Sequence, residues 1–377
     1  MDCITHYNIP IAYCQVLKAL NLSRNSTTHI KDLFKTLEDE RNEEPDQIRN
    51  YVTTIGGPVV YCVGVIGNLL ALTVLPHFAR RISTYMYLLA MCILDLCVLH
   101  LGLLISWLQE ILGINIHSLS QYTCKIVTFL GYVCSDASVW LVVAVTFERF
   151  MSMCHPFKAT SLCRVRKALL VIFLVLVFSI LVNLHIFWTI GLIPDLNNAT
   201  VCGPHESITL IWPCIDLAVY FVLPFLSTGI FNVKIIGKIR KMKRNSMHRR
   251  ASLTTMNTCV PTDTNIKKKL TWMMVVLSLT FVVTTFPMAA MLCVTAVFNS
   301  LKDVPKINRQ LFTKVLSFAE LLMFTNHAIN FYLYVASSKK FRKALRQVLC
   351  ECNTSDVTVF QHSENRHRKT TLDTLYS

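Results

Sequence analysis

Apolar residues fall along this chain in seven long runs separated by polar connections. The runs cover about residues 51–76, 85–108, 126–150, 167–190, 207–233, 270–298 and 315–336. Each reaches the roughly 20 residues that a helix needs to cross the hydrocarbon of a bilayer. Most connections are short, and the one over 234–269 is longer and polar. The pattern predicts an all-α membrane protein with a seven-helix transmembrane bundle over 51–338. Residues 1–50 form an outer segment. Residues 339–377 form a cytoplasmic amphipathic helix, opening at Lys339-Lys340-Phe341-Arg342, and a tail.

Composition agrees with the pattern. Hydrophobic residues make up 53% and charged ones 16%, yet the net charge is +15. On a soluble chain such an excess would suggest a nucleic-acid partner. Here the charge is sorted by side. The segments 77–84, 149–167, 234–269 and 339–377 together carry +21, whereas the alternate segments carry −1. The remaining acids, Asp95, Asp136, Glu148, Asp216 and Glu320, lie within or at the ends of spans. Lys and Arg collect on the cytoplasmic side, so the N-terminus is outside and the C-terminus inside, as an odd number of spans requires. The excess therefore reports orientation and interaction with the lipid bilayer, and nucleic acid is excluded as a partner.

The sequons at Asn21, Asn25 and Asn198 fall on the outer side, as N-glycosylation requires, whereas a fourth at Asn353 is cytoplasmic. The first fifty residues show no short apolar core with a small-residue cleavage site, so the first span is expected to direct membrane insertion. Of the 15 cysteines, most lie in apolar spans, where a packed thiol is the plain reading. Cys124 and Cys202 are outside, one at the start of the third span and one in the following outer loop, and a disulfide there would tie that loop to the helix end. Cys3 and Cys14 are outside too, and the sequence leaves open whether they pair. Cys350 and Cys352 read as a palmitoylation site on the inner side.

Ionisable groups inside lipid are costly and tend to be functional. Asp95 sits in the middle of the second span, and Asn68, after Gly67, lies at similar depth in the first. Glu148-Arg149-Phe150 closes the third span, and Asn330-Phe331-Tyr332-Leu333-Tyr334 closes the seventh. Taken with Cys124, Pro224, Phe281 and Pro287, these residues in this order resemble the rhodopsin-like (class A) G-protein-coupled receptors over residues 51–350. Four departures stand out. Phe331 replaces the proline of the seventh-span motif, and Thr285 stands where the family carries a tryptophan. The fourth span lacks its usual mid-span tryptophan, and Asn232 replaces a tyrosine. These and the Ala328–Tyr334 wording resemble invertebrate neuropeptide receptors of the FMRFamide-receptor-like group.

The resemblance implies a multi-pass plasma-membrane receptor that passes an outer ligand's signal to heterotrimeric G proteins, with a receptor kinase and arrestin as further partners, and no catalytic residues. It implies an activation switch of Glu148, Arg149, Phe281, Pro287 and Tyr334, in which Glu148 holds Arg149 at rest. It also implies a polar network of Asn68, Asp95, Ser138, Asn326 and Asn330, in which one carboxylate and neutral oxygens would suit an allosteric Na+. The same network without an ion is the plainer reading. A second lock on Arg149 from the sixth span is missing, because Lys267-Lys268-Lys269 occupies that place, and this predicts basal signalling.

Gly131 stands where amine receptors carry an aspartate, which argues against an amine ligand. Phe324 stands where retinal proteins carry lysine. The remaining outer-half candidates for a ligand pocket are Glu110, Asp136, Asp216, Phe286 and Glu320, with Trp107, Tyr132 and Trp212 nearby. Acids and aromatics suit an amidated peptide bearing a basic and an aromatic side chain. A small-molecule or orphan role is the second reading within this class. A transporter or channel is the rival class, but it would show broken spans or inverted repeats, and neither is visible.

Overall fold

The computed structural model describes residues 51–194, 200–204, 211–252, 262–300 and 309–351. Its long helices are α1 (Val52–Val74), α2 (Ser83–Leu112), α3 (Gln121–Cys154) and α4 (Val165–Thr189). They continue with α5, composed of Ile211–Leu217, a π turn Ala218–Val222 and Leu223–Ser252, then α6 (Thr262–Ser300) and α7 (Arg309–Ser337). A final helix, α8 (Lys339–Glu351), follows after Ser338. The sequons, Cys3, Cys14, Cys352 and most of the tail lie outside the described residues, as do the side chains of Trp212, Cys350 and Lys267 to Lys269.

Helices α5 and α6 run well past the apolar runs that announced them. An apolar run measures the thickness of hydrocarbon; outside it a helix can continue because its backbone bonds are internal. Among the described residues, six helices are long and apolar enough to cross a membrane by length and composition alone. Helix α7 falls short of that measure because it carries a polar run, Asn326, His327 and Asn330. All three are buried within the bundle, so the polarity faces protein.

Helix α3 is the central post, packing on α2, α4, α5 and α6, while α7 closes the ring against α6 and α1. Lipid tails are as apolar as leucine, so packing and interhelical hydrogen bonds hold spans together rather than hydrophobic burial. The outer faces are accordingly bare hydrocarbon, such as Val59, Ile66, Leu170 and Phe173. The interior packs Leu88, Met91, Leu141, Met273 and Phe281. Gly64 sets the closest approach: a Cβ there would stand 2.5 Å from Leu99 and 3.1 Å from the Cα of Ala328. Without that glycine α1 could not lie so near α2 and α7. Gly113 ends α2 in the left-handed region, φ 65°, a conformation that favours glycine.

On the outer side the loop after α4 folds as a hairpin, β1 (Ile190–Pro194) against β2 (Thr200–Pro204), with Leu192 opposite Cys202. The Cys124–Cys202 disulfide pins it to the start of α3. Two further bonds fix its position: Leu192 N–H donates to Gln121 Oε1 at 2.8 Å, and Cys202 N–H to Ser118 Oγ at 3.3 Å. Ser120 caps α3, its Oγ accepting from Thr123 N–H at 3.1 Å.

The disulfide closes a long segment of chain, and such a cross-link is worth about 2–4 kcal/mol. Cys202→Ser is expected to lower the thermal midpoint of purified receptor by several degrees and to reduce the folded fraction at the cell surface. Differential scanning fluorimetry and surface immunolabelling check both.

Candidate functional site

Three groups of residues carry the chemistry, stacked along the bundle. The middle one is built on Asp95, which is fully buried in α2. An isolated carboxylate at this depth would be expensive, and two helices supply three donors to it. Ser138 Oγ of α3 donates to Oδ1 at 2.6 Å. His327 Nδ1 of α7 lies 2.8 Å from the same oxygen, and Asn330 Nδ2 donates to Oδ2 at 2.7 Å. Helix α1 joins through Asn68, whose Nδ2 donates to the carbonyl oxygens of His327 at 2.9 Å and Gly64 at 3.0 Å. The expected network thus gathers Asn68, Asp95, Ser138 and Asn330. Asn326 is buried in α7, but it is its neighbour His327 that meets the carboxylate. His327 lies outside the family pattern, which marks only the asparagines on either side of it.

At the inner end Glu148 and Arg149, both buried, form an ion pair within α3. Thr84 Oγ1 of α2 donates to the same carboxylate oxygen at 2.6 Å, so Glu148 is held from two helices. Nothing in the sequence marks Thr84, because the contact depends on the crossing of α2 and α3. Cys163 Sγ donates to the Glu148 carbonyl at 3.8 Å; burial first and the nearby carboxylate second hold this thiol above its usual range. Phe281 and Tyr334 are fully buried, and the Tyr334 ring meets Phe341 of α8 edge-on at 5.8 Å. Asn232 Nδ2 donates to Ser278 Oγ at 2.7 Å and couples α5 to α6. Pro287 lies inside α6. Beside this cluster the short inner helix Pro156–Leu162 presents Phe157 at 93% exposure, a bare aromatic ring that the sequence reading passed over.

Toward the outer end, Tyr132, Asp136 and Asp216 lie within electrostatic reach of one another across α3 and α5. The two acids differ in their partners. Asp136 is only 5% exposed, and Asn183 Nδ2 of α4 donates to its Oδ2 at 2.6 Å. Asp216 is half-buried. Glu110 on α2 and Glu320 on α7 are half-buried too, and Phe286 is exposed beside Phe221, with ring centroids 6.3 Å apart. Trp107 is used structurally, its Nε1 donating to Thr54 O of α1 at 3.3 Å. His185 is buried, with Val182 O at 3.0 Å from its ring, whereas His100 is exposed, with Leu96 O at 2.7 Å.

Removing the donor beside Asp136 leaves a buried acceptor unsatisfied, a loss of about 1–3 kcal/mol. Asn183→Leu should therefore lower the thermal midpoint sharply, and Asp136→Leu added to it should recover part of the loss. Thermal unfolding of the four forms in a double-mutant cycle checks this.

With this geometry in hand, comparison with known proteins is informative. The model of the 7 transmembrane receptor (rhodopsin family) matches residues 67–360. Relatives include the thyrotropin-releasing hormone receptor of Mus musculus, 28% identical over 323 residues, covering 80% of this chain and 79% of the relative. The FMRFamide receptor of Drosophila melanogaster is 22% identical over 331 residues, covering 80% and 54%. The galanin receptor type 1 of Mus musculus is 22% identical over 333 residues, covering 87% and 89%. The matched region contains the buried Asp95 centre, the Glu148–Arg149 pair and the disulfide-pinned hairpin, and the chain belongs to the rhodopsin family of seven-transmembrane receptors.

Proposed function

We propose that this receptor responds to an extracellular amidated peptide and that Asp216 receives a basic group of that peptide. The observation that carries the reading is the unequal use of the two outer acids. Asp136 already accepts a bond from Asn183 inside the bundle, so its role is structural. Asp216 lies across from it, half-buried and under repulsion from the Asp136 charge. A guanidinium or ammonium arriving from outside relieves that repulsion and forms a charge-assisted bond in a region of low dielectric. Tyr132 and Phe286 offer aromatic faces for the rest of the ligand, and Glu110 and Glu320 add negative charge that steers a cationic ligand inward. Three relatives named for a releasing hormone, FMRFamide and galanin support the peptide class.

At the inner end the resting arrangement is the Glu148–Arg149 pair, and activation consists of releasing Arg149 to a heterotrimeric G protein. Phe157 offers that partner an apolar contact beside the arginine. Phe281, Pro287 and Tyr334 transmit the change along α6 and α7. Ser252, after Arg249 and Arg250, and the tail hydroxyls are targets for a kinase and then arrestin, and acylation of Cys350 and Cys352 anchors the end of α8.

The test is a calcium and cyclic-AMP screen of expressing cells with an amidated-peptide library. At least one basic, amidated peptide is expected to act, and Asp216→Asn should raise its half-maximal concentration about 10–100-fold, the size of a lost charged hydrogen bond. Activation by a lipid or amine in place of any peptide would overturn the reading. Independently of the ligand, Glu148→Gln should raise basal nucleotide exchange several-fold in a membrane G-protein assay, because Arg149 loses the charge that holds it.

A further inference from the structure

The family resemblance implies a sodium ion on the Asp95 carboxylate, and the residues present can be tested against it. A hard monovalent cation needs oxygen lone pairs aimed at one point, with the carboxylate supplying the charge. Around Asp95 the near positions hold donors instead. Oδ1 faces the Ser138 hydroxyl at 2.6 Å and His327 Nδ1 at 2.8 Å; Oδ2 faces the Asn330 amide nitrogen at 2.7 Å. A ring nitrogen so close to a carboxylate oxygen shares a proton with it, because two opposed lone pairs would repel, and beside a charged carboxylate that proton makes the ring nitrogen an N–H. An N–H cannot ligate a cation, and the ring that bears it fills the space beside Oδ1. The backbone that carries the ring is also held in place. Asn68 bonds the backbone carbonyl of His327 at 2.9 Å, and α7 lies so close to α1 that a Cβ on Gly64 would stand 2.9 Å from that of Ala328. His327 is fully buried, so its ring stays inside the bundle beside the carboxylate.

We infer that the Asp95 centre of this receptor does not take sodium and that His327 is the residue that excludes it. The carboxylate is satisfied by an internal N–H in the place where the family resemblance puts an ion, which makes the receptor's stability independent of which monovalent salt surrounds it. The inference needs no ligand, so it stands or falls separately from the peptide assignment.

The experiment is thermal unfolding of the full-length receptor in detergent, titrated with sodium chloride against choline chloride at matched ionic strength. Any cation that binds only the folded form raises the midpoint by mass action. The wild type is expected to give the same midpoint in both salts throughout the titration. His327→Ser replaces the ring with a small oxygen ligand and should gain a sodium-specific rise of several degrees, which Asp95→Asn added to it removes. His327→Ala serves the same purpose if the serine form does not fold, since it clears the same space. A saturable, sodium-specific rise in the wild type that Asp95→Asn abolishes overturns the inference. So does a failure of both folded His327 variants to gain any sodium response.

Discussion

A carboxylate buried in the middle of a membrane protein must be satisfied from within, and Asp95 makes that demand of four helices at once. Its oxygens draw one donor from α3 and two from α7, and Asn68 ties α1 to the backbone of the same His327. Within lipid no hydrophobic force drives helix against helix, so directional bonds of this kind select which packing is stable. The small residues follow from the same demand. Gly64 allows α1 to come close enough for Asn68 to reach α7. The polarity of α7, which sets it apart from the six more apolar helices described, answers the same demand: His327 and Asn330 meet the carboxylate, while other parts of the helix pack on α1 and α6.

The two ends of the bundle use charge differently. At the inner end Glu148 is satisfied by Arg149 and Thr84, donors from two helices, so the carboxylate that pairs with Arg149 also ties α2 to α3. At the outer end Asp136 is absorbed by Asn183, while Asp216 stands within reach of its charge across α3 and α5.

The architecture was legible in the sequence because a bilayer imposes a length on every span and a sign on every loop. Those constraints are local to each segment and need no knowledge of which helix touches which. The disulfide was legible because sidedness put Cys124 and Cys202 in one compartment and their places, at the start of a span and in the following outer loop, let a cross-link tie the two. What escaped was relational. Thr84, Asn183 and His327 are ordinary residues until the crossing of α2 on α3, of α3 on α4, and of α7 on α2 sets each beside a carboxylate. The hairpin at Ile190–Pro194 escaped because its strands are short and lack strict alternation, and it owes its position to the disulfide and to Gln121 and Ser118. Helix ends were misjudged at α5 and α6 because hydropathy reports where hydrocarbon stops, which is not where the helix stops.

The departures from the family wording bear on where this bundle can bend. With Phe331 in place of proline, α7 keeps its backbone donor at that point and runs unbroken from Arg309 to Ser337, stiffened further by the packing of Phe331 and Tyr334 on Phe341 of α8. Helix α6 is the contrary case. Pro287 deprives the carbonyl of Val283 of its helical donor, and just before it Thr284 and Thr285 turn their hydroxyls back on the carbonyls of Thr280 and Phe281, at 2.9 and 2.7 Å. Hydroxyls that bond back along a helix compete with its own ladder and favour a bend. Both features sit directly outward of the buried Phe281 and of the Ser278–Asn232 bond to α5. An α7 clamped to Asp95 thus stands against an α6 whose ladder is weakened just outward of Phe281, and Thr285 adds to that weakening through its hydroxyl, where a bulky ring would not.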